Sequence, residues 1–259
     1  MIVIIQNPAS RMLCTMDCGR SEALCAERSD KEERMELMPR PVPDRREIIR
    51  YLGYRGDTPG REVLEEIEYC VRELEKAAAP RFIYERFDLE RARGEDGEEV
   101  LLMAGLSIRS RDLAKNLSGC RGAYMMAATI GPGPDLLVRR ASVTKMSRAV
   151  IYQAAGAAMI ENWCDLIGER IRREAAKEGL FTRPRFSPGY GDLPLEMQRD
   201  LVRILNMPKE IGVSLTDTLL MTPSKSVTAL IGVSETAKDC GDRRCEACGS
   251  RADCPYEAP

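Results

Sequence analysis

The sequence predicts an α+β domain: a twisted antiparallel sheet with packed helices, followed by a small cysteine-rich tail. Three observations predict it. Strand-like stretches come as neighbours divided by turn residues, and helix-like stretches are grouped, which favours an α+β over a doubly wound arrangement. No G-x-G-x-x-G follows a strand, so the usual dinucleotide-binding unit has no support. No internal repeat is present.

Residues 1–38 read as a poorly ordered N-terminal extension. The stretch "CTMDCGRSEALCAERSDKEER" is polar, and its Cys14, Cys18 and Cys25 fit no standard ligand spacing. Proline-rich "MPRPVP" closes it, and the folded body is expected over residues 39–234. "DRREIIRYLGYRG" gives a helix with Asp44 as its N-cap and a stop at Gly53. The next helix places Val63, Leu64, Ile67, Cys70, Val71 and Leu74 on one stripe. "RFIYERFDLE" and "EEVLLMAGLSI" flank the acidic turn "RGEDGE" and read as an antiparallel strand pair.

"SRDLAKNLSGC" is a short helix ending at Gly119, and "GAYMMAATIG" a buried strand closed by the turn "GPGP". That turn lacks the lysine and the hydroxyl residue of a phosphate-binding loop, so it reads as a structural corner. The longest periodic segment runs from about Val143 to Lys177. Its "AAGAAM" lets another backbone or a ligand approach closely, helix packing being the commoner cause. Tyr152 and Trp163 lie on this segment and read as core. A helix, "PLEMQRDLVRILN", and two strand-like pieces, "SLTDTLLMT" and "KSVTALIGVS", complete the body.

The 259 residues suffice for one sizeable core. A formal net charge of -2 argues against a nucleic-acid partner. No run approaches the roughly eighteen apolar residues of a membrane span, and no signal peptide is evident. A cytoplasmic protein is expected. There is no histidine, which removes the commonest general base and every Ser-His or Cys-His arrangement.

Ten cysteines in such a protein should be reduced. In the tail, residues 235–259, Cys240, Cys245, Cys248 and Cys254 form C-x4-C-x2-C-x5-C-P. Four thiolates so close in sequence can surround one centre, either tetrahedral zinc or an iron–sulfur cluster. The bland version is a zinc knuckle that pins the terminus; the functional version is an electron entry point.

"RPRFSPGYGDLP", residues 183–194, carries more than a connector needs. Pro188 and Gly189 make a stiff turn that exposes backbone groups. Arg185 offers a planar fork for a carboxylate, and Tyr190 a flat ring with a hydroxyl. Both a solvated surface turn and a site for an amino-acid-like ligand with an aromatic base fit these residues.

"RFSPGY" has the form R-x-x-x-G-Y and resembles the S-adenosylmethionine-binding motif of the activation domain of cobalamin-dependent methionine synthase. "IGERIRRE" resembles that family's helix with a ligand-contacting glutamate, and "IGVSLTDTLLMTPSKSVTALIG" its segment after the motif. The likeness covers roughly residues 110–234, and the front of the chain looks like stand-alone members. The chain departs from the multidomain enzymes where the loop continues as "GDLPLEMQ", without their histidine.

The resemblance implies the activation-domain fold and an S-adenosylmethionine site. Arg185 would pair with the ligand carboxylate and Gly189 would admit the main chain. Tyr190 would line the methyl-donor site, and Glu169 would attract the ligand's positive groups. The plain reading of Glu169 is an i,i+4 pair with Arg173.

It further implies a component of cobalamin-dependent methionine synthase, a methyltransferase, that supports reductive remethylation of cob(II)alamin. Nothing resembles the folate, homocysteine or corrinoid modules, so the chain would act in trans. Its partners would be the cobalamin-binding module of methionine synthase or another corrinoid protein, and an electron donor such as flavodoxin or ferredoxin. The alternative is an iron–sulfur reductive activator of a corrinoid protein, acting mainly as electron donor. No protein base is required, because the reduced cobalt is the nucleophile.

Overall fold

The strand Gly122–Thr129 is buried at every residue, and the fold is organised around it. In this computed structural model residues 38–54 and 59–237 are described. The chain divides into two compact units, residues 1–39 and Arg40–Pro259, and the fold below is that of the second.

The elements in chain order are α1 (Arg45–Tyr51), α2 (Arg61–Ala77), β1 (Arg81–Asp88), β2 (Glu90–Arg93), β3 (Glu99–Met103), β4 (Leu106–Ile108), α3 (Arg111–Asn116) and β5 (Gly122–Thr129). There follow α4 (Gly133–Thr144), α5 (Met146–Lys177), β6 (Phe181–Thr182), α6 (Met197–Ile204), α7 (Met207–Glu210), β7 (Ser214–Leu215), β8 (Met221–Thr222) and β9 (Ser226–Ser234).

The main sheet has the order β1-β5-β9-β6 and is antiparallel throughout. A three-stranded sheet, β2-β3-β4, and a small β7-β8 pair lie outside it. A mixed helical and antiparallel-sheet architecture is therefore present, as the grouped elements predict.

Strand alternation divides the main sheet between two cores. Ala123, Met125 and Ala127 of β5 and Leu230 of β9 pack with Leu113 and Leu117 beside α3 and with Leu201 of α6. The opposite face meets α5. There Trp163 sets its ring edge against Phe82 at 5.5 Å and donates its indole N–H to the Arg81 carbonyl at 3.1 Å. Tyr152 and Trp163 are buried, as expected.

Local signals place several elements. The Asp44 carboxylate accepts the Arg46 amide at 2.8 Å and caps α1, and Gly53 takes φ +89 beyond it. Ile67, Cys70, Val71 and Leu74 are the buried stripe of α2. The Ser110 hydroxyl accepts the Leu113 amide at 3.0 Å at the start of α3.

Three expectations are corrected. β1 does not pair with β3. Its eight residues pair in full with β5, and only β2 forms the hairpin with β3 around residues 94–98. The "GPGP" corner starts a further helix, α4, because proline in a first turn is preorganised for helix. The stretch "SLTDTLLMT" forms the small β7-β8 pair, while β9 joins the main sheet alone.

The small residues of "AAGAAM" admit a side chain. A Cβ on Gly156 would lie 3.0 Å from Cε of Lys225, whose stem crosses α5 to reach the Gln153 amide oxygen at 2.7 Å.

Candidate functional site in the loop after β6

The loop that carries Arg185 begins as an extension of the sheet. Phe181 and Thr182 pair with Ser234 and Val233. The Arg183 amide donates to the Gly232 carbonyl at 2.8 Å, and Phe186 exchanges both backbone bonds with Leu230 at 2.9 and 2.8 Å. Two residues, Pro184 and Arg185, thus stand opposite the single Ile231. This is a β-bulge, and Pro184 suits it because it has no N–H to pair. The extra residue re-aims the side chains. Phe186 packs on the core that holds Leu230, whereas Arg185 reaches across to α5.

On α5 the Nη2 of Arg185 donates to Asp165 at 2.8 Å and to Glu161 at 3.2 Å. The Arg185 side chain is 26% exposed, against 51% for Glu161 and 70% for Asp165. Burial works against its charge, yet Glu161 and Asp165 hold its basicity above the ordinary arginine value. Cys164 lies fully buried between the two acids in sequence. Burial pushes its thiol up to about 12, with Arg185 pulling the other way, so the sulfur stays neutral.

The turn beyond is stiff. The Tyr190 amide donates to the Ser187 carbonyl at 3.1 Å and the Gly189 amide to the Leu193 carbonyl at 2.9 Å. Gly189 has φ +89 and Gly191 φ +53, a region that favours glycine. Tyr190 is largely exposed, its ring edge-on to Phe186 at 6.4 Å.

The far end of the loop is tied down by Asp192. Its carboxylate accepts the Ser110 hydroxyl, the Arg111 amide at 2.7 Å and the Asp112 amide at 3.2 Å. Those donors, the Ser110 hydroxyl first, hold the Asp192 carboxyl below its usual range. A depression of about 680 Å³ lies beyond this contact, bounded by Arg91, Glu98, Arg109, Lys115 and Asp192. Its arginines are matched by acids, as in Arg91–Glu99 and Arg109–Asp96. Arg185 is not among its walls.

The first helix approaches α5 beside the acids. The Val42 amide donates to the Asn162 side-chain oxygen at 3.0 Å. Burial raises the Tyr51 hydroxyl, with Glu47 and Glu161 adding and Arg50 opposing.

Of the four ligand residues taken from the sequence, Arg185, Gly189 and Tyr190 share this loop. Glu169 pairs with Arg172 at 2.5 Å and with Arg173 at 3.3 Å on its own helix. Sequence reasoning missed Glu161, Asp165 and Asp192. One signal pointed to the first two: like charges at i,i+4 are unfavourable on a helix unless a cation arrives from elsewhere. Cys240, Cys245, Cys248 and Cys254, like Cys14, Cys18 and Cys25, lie outside the described residues. Among the described residues no group of three or more histidine, cysteine or acidic side chains is arranged to hold a metal ion. No helix there is long and apolar enough to cross a membrane.

The family profile described as "Vitamin B12 dependent methionine synthase, activation domain" matches residues 144–245, a span that runs from α5 through the loop and β9. No curated protein matches the chain. Among solved structures, the "Crystal Structure of the MetH Reactivation Domain bound to AdoHcy" matches with a TM-score of 0.56 and 17% identity. It covers 77% of this chain and 82% of its own. The fold is thus similar to that of the reactivation domain. The two findings together support the resemblance to an activation domain of cobalamin-dependent methionine synthase.

Proposed function

We propose that the chain binds S-adenosylmethionine at the loop of residues 183–194 and serves as an activation subunit for a cobalamin-dependent methionine synthase or related corrinoid protein. One observation carries the reading: Arg185 is turned by a bulge onto Glu161 and Asp165. A guanidinium beside two carboxylates complements an amino-acid ligand, which presents a carboxylate and an ammonium a few ångströms apart. The profile match over the same residues supports it.

In this reading Arg185 takes the ligand carboxylate, and Glu161 and Asp165, relieved of their cation, face its positive groups, one of them pairing with the ammonium. Gly189 keeps the turn free of a side chain. Tyr190, exposed beside Phe186, lines the methyl-donor end. Glu169, two turns along α5 from Glu161, attracts the ligand's positive groups by exchanging an arginine partner for them. The work of these residues is to hold and orient the methyl group, since proximity rather than a protein base is what the reaction requires. The reduced cobalt of a corrinoid on the partner module supplies the nucleophile.

The body of residues 39–234 would then bind the ligand, with residues 1–38 and 235–259 flanking it in a cytoplasmic protein. Cys240, Cys245, Cys248 and Cys254 are the proposed zinc or iron–sulfur ligands, which metal analysis of the intact chain tests.

Titration calorimetry tests the ligand. The intact chain should bind S-adenosylmethionine with roughly micromolar affinity, typical for a metabolite. Arg185→Ala should weaken binding by at least about tenfold, the cost of losing one charge-assisted contact. No heat from the folded wild-type chain removes the reading.

A further inference from the structure

We infer that Glu161 and Asp165 make this site select by charge between a methylated sulfonium ligand and the neutral thioether left after methyl transfer. The inference rests on the ligand proposed above. Arg185, Glu161 and Asp165 carry one positive and two negative formal charges, an excess of one negative. Cys164, between the two acids in sequence, stays a neutral thiol. Farther along α5, Glu169 with its partners Arg172 and Arg173 carries one net positive charge, but both arginine side chains are largely exposed, at 64% and 71%, so solvent and salt screen them from the cluster.

S-adenosylmethionine carries a carboxylate, an ammonium and a sulfonium, an excess of one positive. Its binding completes the charge balance of the cluster. When the methyl group leaves as a cation to an external nucleophile, the electron pair of the broken C–S bond stays on sulfur. The remaining thioether is then a neutral zwitterion. Once its carboxylate occupies Arg185 and its ammonium one acid, the other acid has no cation. The product is therefore held less firmly than the donor.

Asp165 is the member to alter. Its side chain is 70% exposed and bonds Arg185 at 2.8 Å, so its replacement leaves the core untouched. The effect should be modest, about two- to fivefold in affinity, the range open to ion pairs that remain hydrated.

The experiment is calorimetry on the intact chain with S-adenosylmethionine and S-adenosylhomocysteine, for wild type and Asp165→Asn, at low and raised salt. The wild type should prefer the sulfonium. Asp165→Asn should narrow that preference about two- to fivefold, chiefly by weakening the sulfonium, and raised salt should narrow it in the wild type. A circular dichroism spectrum that matches wild type checks the variant's fold. A preference equal in wild type and variant, or a wild type that favours the thioether, overturns the inference while leaving the ligand site standing. So does loss of both ligands by a variant whose circular dichroism matches wild type. Binding of neither compound by wild type removes the proposed ligand and this inference with it.

Discussion

The Asp192 carboxylate accepts the backbone amide of Arg111 at 2.7 Å, across 81 positions of sequence. The loop bearing Arg185 is therefore fixed at both ends. One end is stitched to β9 through Arg183 and Phe186, and the other caps α3 in partnership with Ser110. Between these anchors lies the turn with two positive-φ glycines. A ligand met by such a loop requires little ordering of the chain, which is how preorganisation lowers the cost of binding.

Asp192→Ala should loosen that anchor without unfolding the body. Amide exchange at Arg111 and Asp112 should quicken, the melting temperature should fall, and S-adenosylmethionine affinity should weaken. The pH dependence follows from the lowered carboxyl of Asp192. A carboxyl whose folded value lies below its unfolded one contributes stability that is fully present above about pH 3.9, the unfolded value. That contribution is lost as pH falls through the lower, folded value. Wild type and variant should thus differ most near neutrality and converge in acid, which thermal melts across that window would read.

Gly189→Ala tests the turn. At φ +89 an L-residue is strained, by about 1–2 kcal/mol. The new methyl would also lie 3.2 Å from Cδ1 of Leu195, a partly exposed side chain that can yield. Stability should fall by about 1–2 kcal/mol, and ligand affinity should fall further because Tyr190 follows directly. Equal binding by the variant and wild type would show that the turn does not touch the ligand.

What the sequence reveals of this molecule depends on the reach of each signal. The Asp44 cap and the Ile67–Leu74 stripe are local, so they are legible in short windows. Gly122–Thr129 reads as buried because it is apolar on both faces. The pairing of β1 with β5 joins residues some forty positions apart, and the nearer turn at residues 94–98 draws the eye to a hairpin with β3. In the site, the R-x-x-x-G-Y pattern marks Arg185 and Tyr190, but the bulge opposite Ile231 exists only once β9 is in place. That bulge decides which acids Arg185 meets. Glu161 and Asp165 are accordingly legible only as an unfavourable like-charge pair awaiting a cation.

Two glycines on neighbouring helices should respond to the same substitution with opposite sign. Gly133 opens α4, where a Cβ would lie 2.0 Å from the Ala77 carbonyl oxygen. Backbone cannot yield as a flexible side chain can, so Gly133→Ala forces α2 and α4 apart and should cost about 1–3 kcal/mol. Gly168 sits inside α5, and a Cβ there meets nothing within 4 Å. Its replacement by alanine removes chain entropy from the unfolded state and should stabilise by about 1 kcal/mol. Denaturant unfolding, followed by the fluorescence of the single tryptophan, the buried Trp163, measures both. Unaltered stability in Gly133→Ala would mean that α4 does not press on the end of α2 as closely as this fold requires.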